Sequence, residues 1–447
     1  MASQSVDLKL VVDFGPINSY RYRVLFLLLL AMVVDGYDIL AMSYAAPIVA
    51  QKWHLNKGAM GPVFSIGWIG LILGGAIMGL LGDWIGRRRP LITSMLFLVV
   101  GSFGTGLAAN MPELMLWRFL AGLSLGAIVP LCTVMVVEYA PERLRATAMA
   151  CMFVGLGGAG AAVGGWISAT IVPTHGWQAL FYFGAAMPLV IGLCLLWYLP
   201  ESIRYLFAKD ADSAQLAAIA SRLAPSGVIG PHTRLVWTGE EQLAKRGVPY
   251  RLLLKDGRLI LTVVLCIAAF CGQMTSVGLV TWLPTLLHGY GLSAGQISFG
   301  MVLASVGGFV GGVLISRLVD RLGIKLLAIM PLGAIPIMLA IGLVDTKGFW
   351  FFCTVAAAGF TITGGMQGLG AVLGFFYPTA IRSSGVGLVI FVSRFGAVVS
   401  PLIIGALLSR GALLPTISLD CIAPLFLMAL MILAVGRLYG SRVAQLS

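Results

Sequence analysis

Twelve apolar runs, each about long enough to cross a lipid bilayer, leave this 447-residue chain few ways to fold. They lie near 24–46, 59–81, 90–109, 112–137, 146–171, 177–199, 258–287, 295–318, 325–344, 348–375, 384–408 and 415–438. A helix rises about 1.5 Å per residue, so roughly 20 residues bridge ~30 Å of hydrocarbon. Backbone groups in hydrocarbon must be satisfied internally, which selects helices for runs of this length. An all-α membrane protein with twelve transmembrane helices is therefore expected. The residue usage agrees: 59% hydrophobic and 10% charged is far from the balance of a soluble chain.

One polar stretch, 200–257, interrupts the runs and divides the chain into an N-terminal half (1–199), a central loop and a C-terminal half (258–447). The halves repeat each other at a single offset of 237 residues. "GDWIGRR" (Gly82 to Arg88) aligns with "VDRLGIK" (Val319 to Lys325), setting Asp83 against Asp320 and Gly86 against Gly323. "PERLRAT" (Pro141 to Thr147) aligns with "PTAIRSS" (Pro378 to Ser384), setting Arg145 against Arg382. Parallel six-helix repeats are a transporter architecture, with the substrate site near the midplane between them.

The first residues carry Asp7 and Asp13 and no basic head before a short apolar core, so no cleavable signal is expected. Of 29 Lys and Arg, only Lys52, Lys57, Lys347 and Arg410 fall on the connections opposite the N-terminus. Cationic loops face the cytoplasm, which predicts cytoplasmic termini and a cytoplasmic central loop. The net charge of +12 then follows from topology and calls for no nucleic-acid partner. The seven cysteines lie in apolar stretches without paired spacing, and histidines do not cluster. No metal, cofactor or obligate protein partner is expected beyond the lipid.

Asp35 and Asp38, in "MVVDGYDILAM", stand where every neighbour is apolar. A charge at mid-membrane costs about 2.5–3.5 kcal/mol on insertion scales and usually faces the bundle interior. Their i, i+3 spacing sets both on one helical face. Arg118 and Arg394 are the intramembrane cations. One reading has the aspartates as counter-ions of Arg118 alone. The other makes them the proton-coupling pair: desolvation favours the neutral carboxyl and a nearby guanidinium the charged one, so a carboxylate whose surroundings alternate can load and release a proton. A guanidinium matches a carboxylate bidentately, which makes Arg394 a candidate for an anionic substrate. Gln273 and Gln367 are weaker polar candidates.

"GLLGDWIGRRRPL" (Gly79 to Leu91) resembles the signature loop of the major facilitator superfamily, and the likeness extends over essentially the whole chain. Within it, "DGYD", "TWLPTLL" (Thr281 to Leu287), "YPTAIRSSGVG" (Tyr377 to Gly387) and Arg394 resemble the aromatic acid:proton symporter family. Arg118, in "LMLWRFLAGLSLG", resembles the intramembrane arginine of that family's fourth helix. The resemblance implies the major facilitator fold and an inner-gate latch of Asp83, Arg87, Arg88, Glu138 and Arg145, mirrored by Asp320 and Arg382. Arg118 and Arg394 are the expected substrate-binding cations, with Gln273 and Gln367 as weaker partners for a substrate hydroxyl. The resemblance also implies a proton symporter that imports a benzoate- or hydroxybenzoate-like acid across a bacterial inner membrane, and no enzyme. "PESIRYL" (Pro200 to Leu206) is similar to a sugar-porter motif, which keeps a sugar, or an aliphatic acid such as muconate, as the alternative.

If the loop is a latch, Asp83→Asn abolishes or sharply reduces uptake while the protein's level in the membrane stays near normal. Transport at the ordinary rate would reduce the loop to a topology signal.

Overall fold

The computed structural model describes residues 5–438 apart from 212, 225–228, 230–232, 238–257, 342, 347 and 378–380, and leaves out the side chains of Asp320 and Ser383. A short helix α1 (Leu8–Phe14) precedes six long ones. These are α2 (Ser19–Lys52), α3 (Lys57–Ile85), α4 (Arg88–Leu107), α5 (Met111–Tyr139), α6 (Glu142–Thr170) and α7 (Gln178–Tyr198). Two short helices follow, α8 (Ile203–Lys209) and α9 (Ala214–Leu223). The second set is α10 (Arg258–Gly289), α11 (Ala294–Val319), α12 (Ile324–Ile341), α13 (Phe349–Phe376), α14 (Ser384–Ser409) and α15 (Leu414–Arg437). Among the described residues twelve helices are thus long and apolar enough to span a membrane, as the sequence predicts. A two-stranded parallel sheet joins β1 (Ser5–Asp7) to β2 (Arg234–Val236).

The 237-residue repeat is also a repeat of backbone geometry. Gly86 and Gly323 both turn with positive φ, +94° and +87°, ending α3 and α11 in the same way. Pro47 and Pro284 occupy equivalent places inside α2 and α10. Close helix approaches recur as well. A Cβ on Gly70 or Gly74 of α3 would collide with the carbonyls of Phe119 and Leu123 on α5. A Cβ on Gly307 or Gly311 of α11 would collide with those of Ala356 and Phe360 on α13. Each residue of the second set lies 237 positions after its counterpart. Without a hydrophobic force between helices in lipid, such small-residue contacts supply the packing.

By packing, the chain forms two compact units. The first comprises 1–38, 70–160 and 181–246, the second 39–69, 161–180 and 247–447. In the first unit, Arg21 is 1% exposed. Its Nη1 donates to Val12 O (2.9 Å) and Tyr139 O (3.1 Å), and its Nη2 to Val11 O (2.8 Å) and Leu223 O (3.4 Å). One cation therefore closes the carbonyl ends of α1, α5 and α9, where helix dipoles favour positive charge. In the second unit the core runs through α10 to α15 and is filled by Leu265, Leu327, Phe376 and Val389 among others. There α3 and α14 are joined by Ser65 Oγ donating to Val398 O (2.7 Å), and Asn56, just before α3, donates to Ser409 O at the end of α14 (3.3 Å).

Leucine at Gly74 or Gly311 forces helices apart that now meet at backbone distance, an overpacking that costs about 1–3 kcal/mol or more. The expected result is a marked loss of monodisperse protein in size-exclusion chromatography for Gly74→Leu and Gly311→Leu. Gly79→Leu, whose Cβ meets nothing within 4 Å, serves as the tolerant control.

Candidate functional site

The apolar interior of the first unit holds one ion pair. Asp38 on α2 is fully buried and Arg118 on α5 is 4% exposed. Arg118 Nη2 lies 2.9 Å from Asp38 Oδ2. Ser102 Oγ of α4 donates to the other oxygen, Oδ1, at 2.6 Å. The Arg118 guanidinium stands 5.9 Å from the ring centre of Phe181, the face of an aromatic that attracts a cation. Its second terminal nitrogen, Nη1, is buried and has no hydrogen-bond partner among the described residues. Arg118 is thus only partly engaged: Nη2 forms the ion pair with Oδ2 and donates to the Asp38 backbone carbonyl at 3.5 Å, while Nη1 makes no hydrogen bond among the described residues.

The helix packing explains why α2 can carry acids here. Gly36, between the two aspartates, lets α6 come so close that a Cβ would overlap Leu156 O. Gly160 on α6 returns the contact, since its Cβ would sit 2.6 Å from Tyr37 N. A π-helical turn at Gly155–Ala159, which includes Leu156, lies within this crossing. Asp35, one turn before Asp38, is 1% exposed and interacts electrostatically with Cys132 of α5.

A second polar cluster gathers at one end of the first unit. Glu201 Oε1 accepts from the backbone N–H groups of Arg87 (2.7 Å), Arg88 (3.0 Å) and Ser202 (2.9 Å), capping the start of α4. Gly86 makes room for that carboxylate, because its Cβ would overlap the Glu201 side chain. Glu138 accepts from Ser202 Oγ (2.7 Å) and Ile203 N (2.8 Å), capping α8 in turn. Carboxylates at helix N-termini meet both the orphan N–H groups and the positive end of the dipole. Asp83 pairs with Arg87 at 2.5 Å on an exposed surface, and Arg145 pairs with Asp13 of α1 at 2.5 Å.

A family model described as Major Facilitator Superfamily matches residues 27–401. The chain belongs to that superfamily. It is 35% identical over 434 residues to the gallate transporter of Pseudomonas putida, covering 97% of this chain and 95% of the relative. It is 30% identical to the 4-hydroxybenzoate transporter PcaK of Pseudomonas aeruginosa, covering 92% and 91%. Among solved structures, the partially occluded, inward-open xylose transporter XylE from E. coli shares the fold with a TM-score of 0.68 at 17% identity, covering 94% of this chain and 98% of that one. This chain is accordingly a multi-pass membrane transporter.

In this facilitator the expected site residues are distributed unevenly. Asp35, Asp38 and Arg118 come together inside the first unit. In the second unit, Arg394 is half-buried on α14, Gln273 half-buried on α10 and Gln367 exposed on α13. Of the residues expected to latch the inner gate, Asp83 and Arg87 meet each other, whereas Arg88 donates through its backbone to Glu201 and its guanidinium to Leu196 O. Glu138 is engaged by Ser202 and Arg145 by Asp13. Arg382 donates to Tyr377 O at 3.4 Å, and the side chain of Asp320 lies outside the described residues. Ser102, Glu201 and Asp13 are site partners that the sequence reading passes over. A signal existed for Glu201 alone, as an acid directly after a long apolar run.

Removing the Glu201 carboxylate leaves the α4 amides of Arg87 and Arg88 without their cap. Lost charged caps cost about 1–3 kcal/mol, so Glu201→Ala raises hydrogen exchange in a peptide spanning 86–92 by roughly tenfold or more. Mass spectrometry of the detergent-solubilised variant measures it.

Proposed function

We propose that the protein is a proton-coupled symporter that imports a small aromatic carboxylate of the benzoate, hydroxybenzoate or gallate kind across a bacterial inner membrane, with both termini in the cytoplasm. Three supports converge. Relatives of near-identical length carry the names of gallate and 4-hydroxybenzoate transporters. The Lys and Arg distribution favours cytoplasmic termini. The observation that carries the coupling is the buried Asp38–Arg118 pair, in which Arg118 Nη1 is still available.

The mechanism follows from competition for one guanidinium. While Asp38 is ionised, Arg118 has its counter-ion and a second carboxylate in the same apolar space would leave an excess negative charge. When Asp38 takes up a proton, the pair dissolves and Arg118 becomes a cation in need of an anion, which the substrate carboxylate supplies bidentately. Proton and substrate thus load together, and neither form strands an uncompensated charge in the membrane. Asp35, one turn away, shares the titration of the site. Arg394, Gln273 and Gln367 serve the ring and its substituents, and the two six-helix repeats, 1–199 and 258–447, rock about the site with 200–257 as their link. The residues Asp83, Arg87, Arg88, Glu138, Arg145, Asp320 and Arg382 make up the gate on the cytoplasmic side.

Proteoliposomes with an imposed inward proton gradient test the reading. Wild-type protein accumulates labelled 4-hydroxybenzoate or gallate above its external concentration, and counterflow with hexoses or muconate is weak by comparison. Asp38→Asn and Asp35→Asn each lose uphill accumulation. The double variant Asp38→Asn with Arg118→Gln, which removes both charges of the pair, does not recover it, because an amide cannot bind and release a proton. Restored accumulation in the double variant would reduce the aspartate to a counter-ion.

A further inference from the structure

Hydroxyls inside membrane helices ordinarily donate back to their own helix, and two neighbours on α4 do so. Ser94 Oγ donates to Pro90 O at 2.8 Å and Thr105 Oγ1 to Gly101 O at 2.7 Å. Ser102 departs from this pattern. Fully buried, it turns its hydroxyl across the helix interface to Asp38 Oδ1 at 2.6 Å. Gly184 of α7 lies alongside: a Cβ there would press on the Tyr37 ring at 3.2 Å and meet Ser102 Cβ at an ordinary contact distance of 3.6 Å. The two oxygens of Asp38 are thereby served from different helices, Oδ1 by α4 and Oδ2 by Arg118 of α5.

We infer that Ser102 is a positioning residue for the proton step, acting through Asp38. The inference rests on the coupling role proposed above for that aspartate. A hydroxyl is both donor and acceptor, so it can donate to the carboxylate and, after rotating, accept from the protonated carboxyl. Asp38 therefore keeps a fixed partner when protonation releases it from Arg118, and its orientation survives the step in which the ion pair is lost. The hydrogen bond to the charged form is the stronger of the two, so Ser102 also restrains premature proton loading. Ionisable neighbours are Asp35 and Tyr37 on α2 and Arg118 on α5, with Cys132 of α5 against Asp35. Among the described residues, α6 meets the flanking Gly36 and Tyr37 through Leu156 and Gly160, and α7 meets Arg118, Tyr37 and Ser102 through Phe181 and Gly184, none of these α6 and α7 residues being ionisable.

The test compares wild type, Ser102→Ala and Ser102→Cys in proteoliposomes, measuring initial uptake of 4-hydroxybenzoate as external pH is stepped at a fixed inward pH difference. Uptake declines as rising pH strips the proton from the carrier. Losing the donor makes protonation easier, so the Ser102→Ala midpoint moves about one pH unit toward alkaline. Ser102→Cys, whose weaker thiol donor fits nearly the same space, falls between. In an Asp38→Asn background, followed by counterflow, Ser102→Ala leaves the pH profile unchanged. A Ser102→Ala variant that slows at every pH with its midpoint unmoved would make Ser102 a packing residue and overturn the inference, as would a shift that persists without Asp38. Uphill accumulation by Asp38→Asn alone would instead defeat the coupling reading on which it stands.

Discussion

In hydrocarbon a backbone amide has no water to turn to, and the architecture of this transporter follows from that deprivation. Twelve helices satisfy their own amides, and glycines at Gly70, Gly74, Gly307 and Gly311 let the satisfied backbones pack against each other. What remains to be paired are the helix ends and a handful of buried charges. The structure resolves both with ionised side chains: Arg21 gathers the carbonyl ends of α1, α5 and α9, while Glu201 and Glu138 cover the amide ends of α4 and α8. Among the described residues, several buried charges thus cap helix termini, while Asp38 and Arg118 pair in the middle of α2 and near the start of α5.

The repeat shows how sharply the two uses are separated. Turns, prolines and helix crossings recur at one offset, yet the charges of the interior do not. Asp35, Asp38 and Arg118 correspond to Gly272, Thr275 and Val355, Ser102 to Leu339, and Arg394 to Gly157. The scaffold was duplicated, and the ionisable groups are confined to one copy each. On the proposed function, a single acid–base pair within one bundle suits coupling, because a guanidinium with one resident carboxylate has one vacancy to offer when that carboxylate is neutralised.

The cluster at the end of the first unit also changes how the signature loop is understood. Its arginines and aspartate are conspicuous in sequence, but Arg87 and Arg88 are held through their backbone amides as much as through their charges. The acid that holds them, Glu201, comes from more than a hundred residues away. The N-terminal helix joins in by giving Asp13 to Arg145. The loop is thus tied to Glu201 and to Tyr205 of α8, and a movement that parts them must break a buried carboxylate cap along with surface ion pairs.

Length and polarity alone determined the number of helices, their approximate positions and the central interruption, because the thickness of a bilayer fixes how many apolar residues a helix needs. The offset of 237 residues was equally legible, since turn glycines and prolines are one-residue signals of backbone geometry. So was the anomaly of Asp35, Asp38 and Arg118, as charge in an apolar run is costly wherever it occurs. Which charge meets which was not legible. Asp38 rather than Asp35 takes Arg118, Ser102 rather than any other buried serine supplies the second donor, and Glu138 caps α8 instead of meeting Arg145. Hydrogen bonds reach about 3 Å and depend on helix rotation and crossing, which are set by the summed packing of residues far apart in the chain. Sequence spacing fixes the face on which a side chain stands; only the tertiary structure decides what stands opposite.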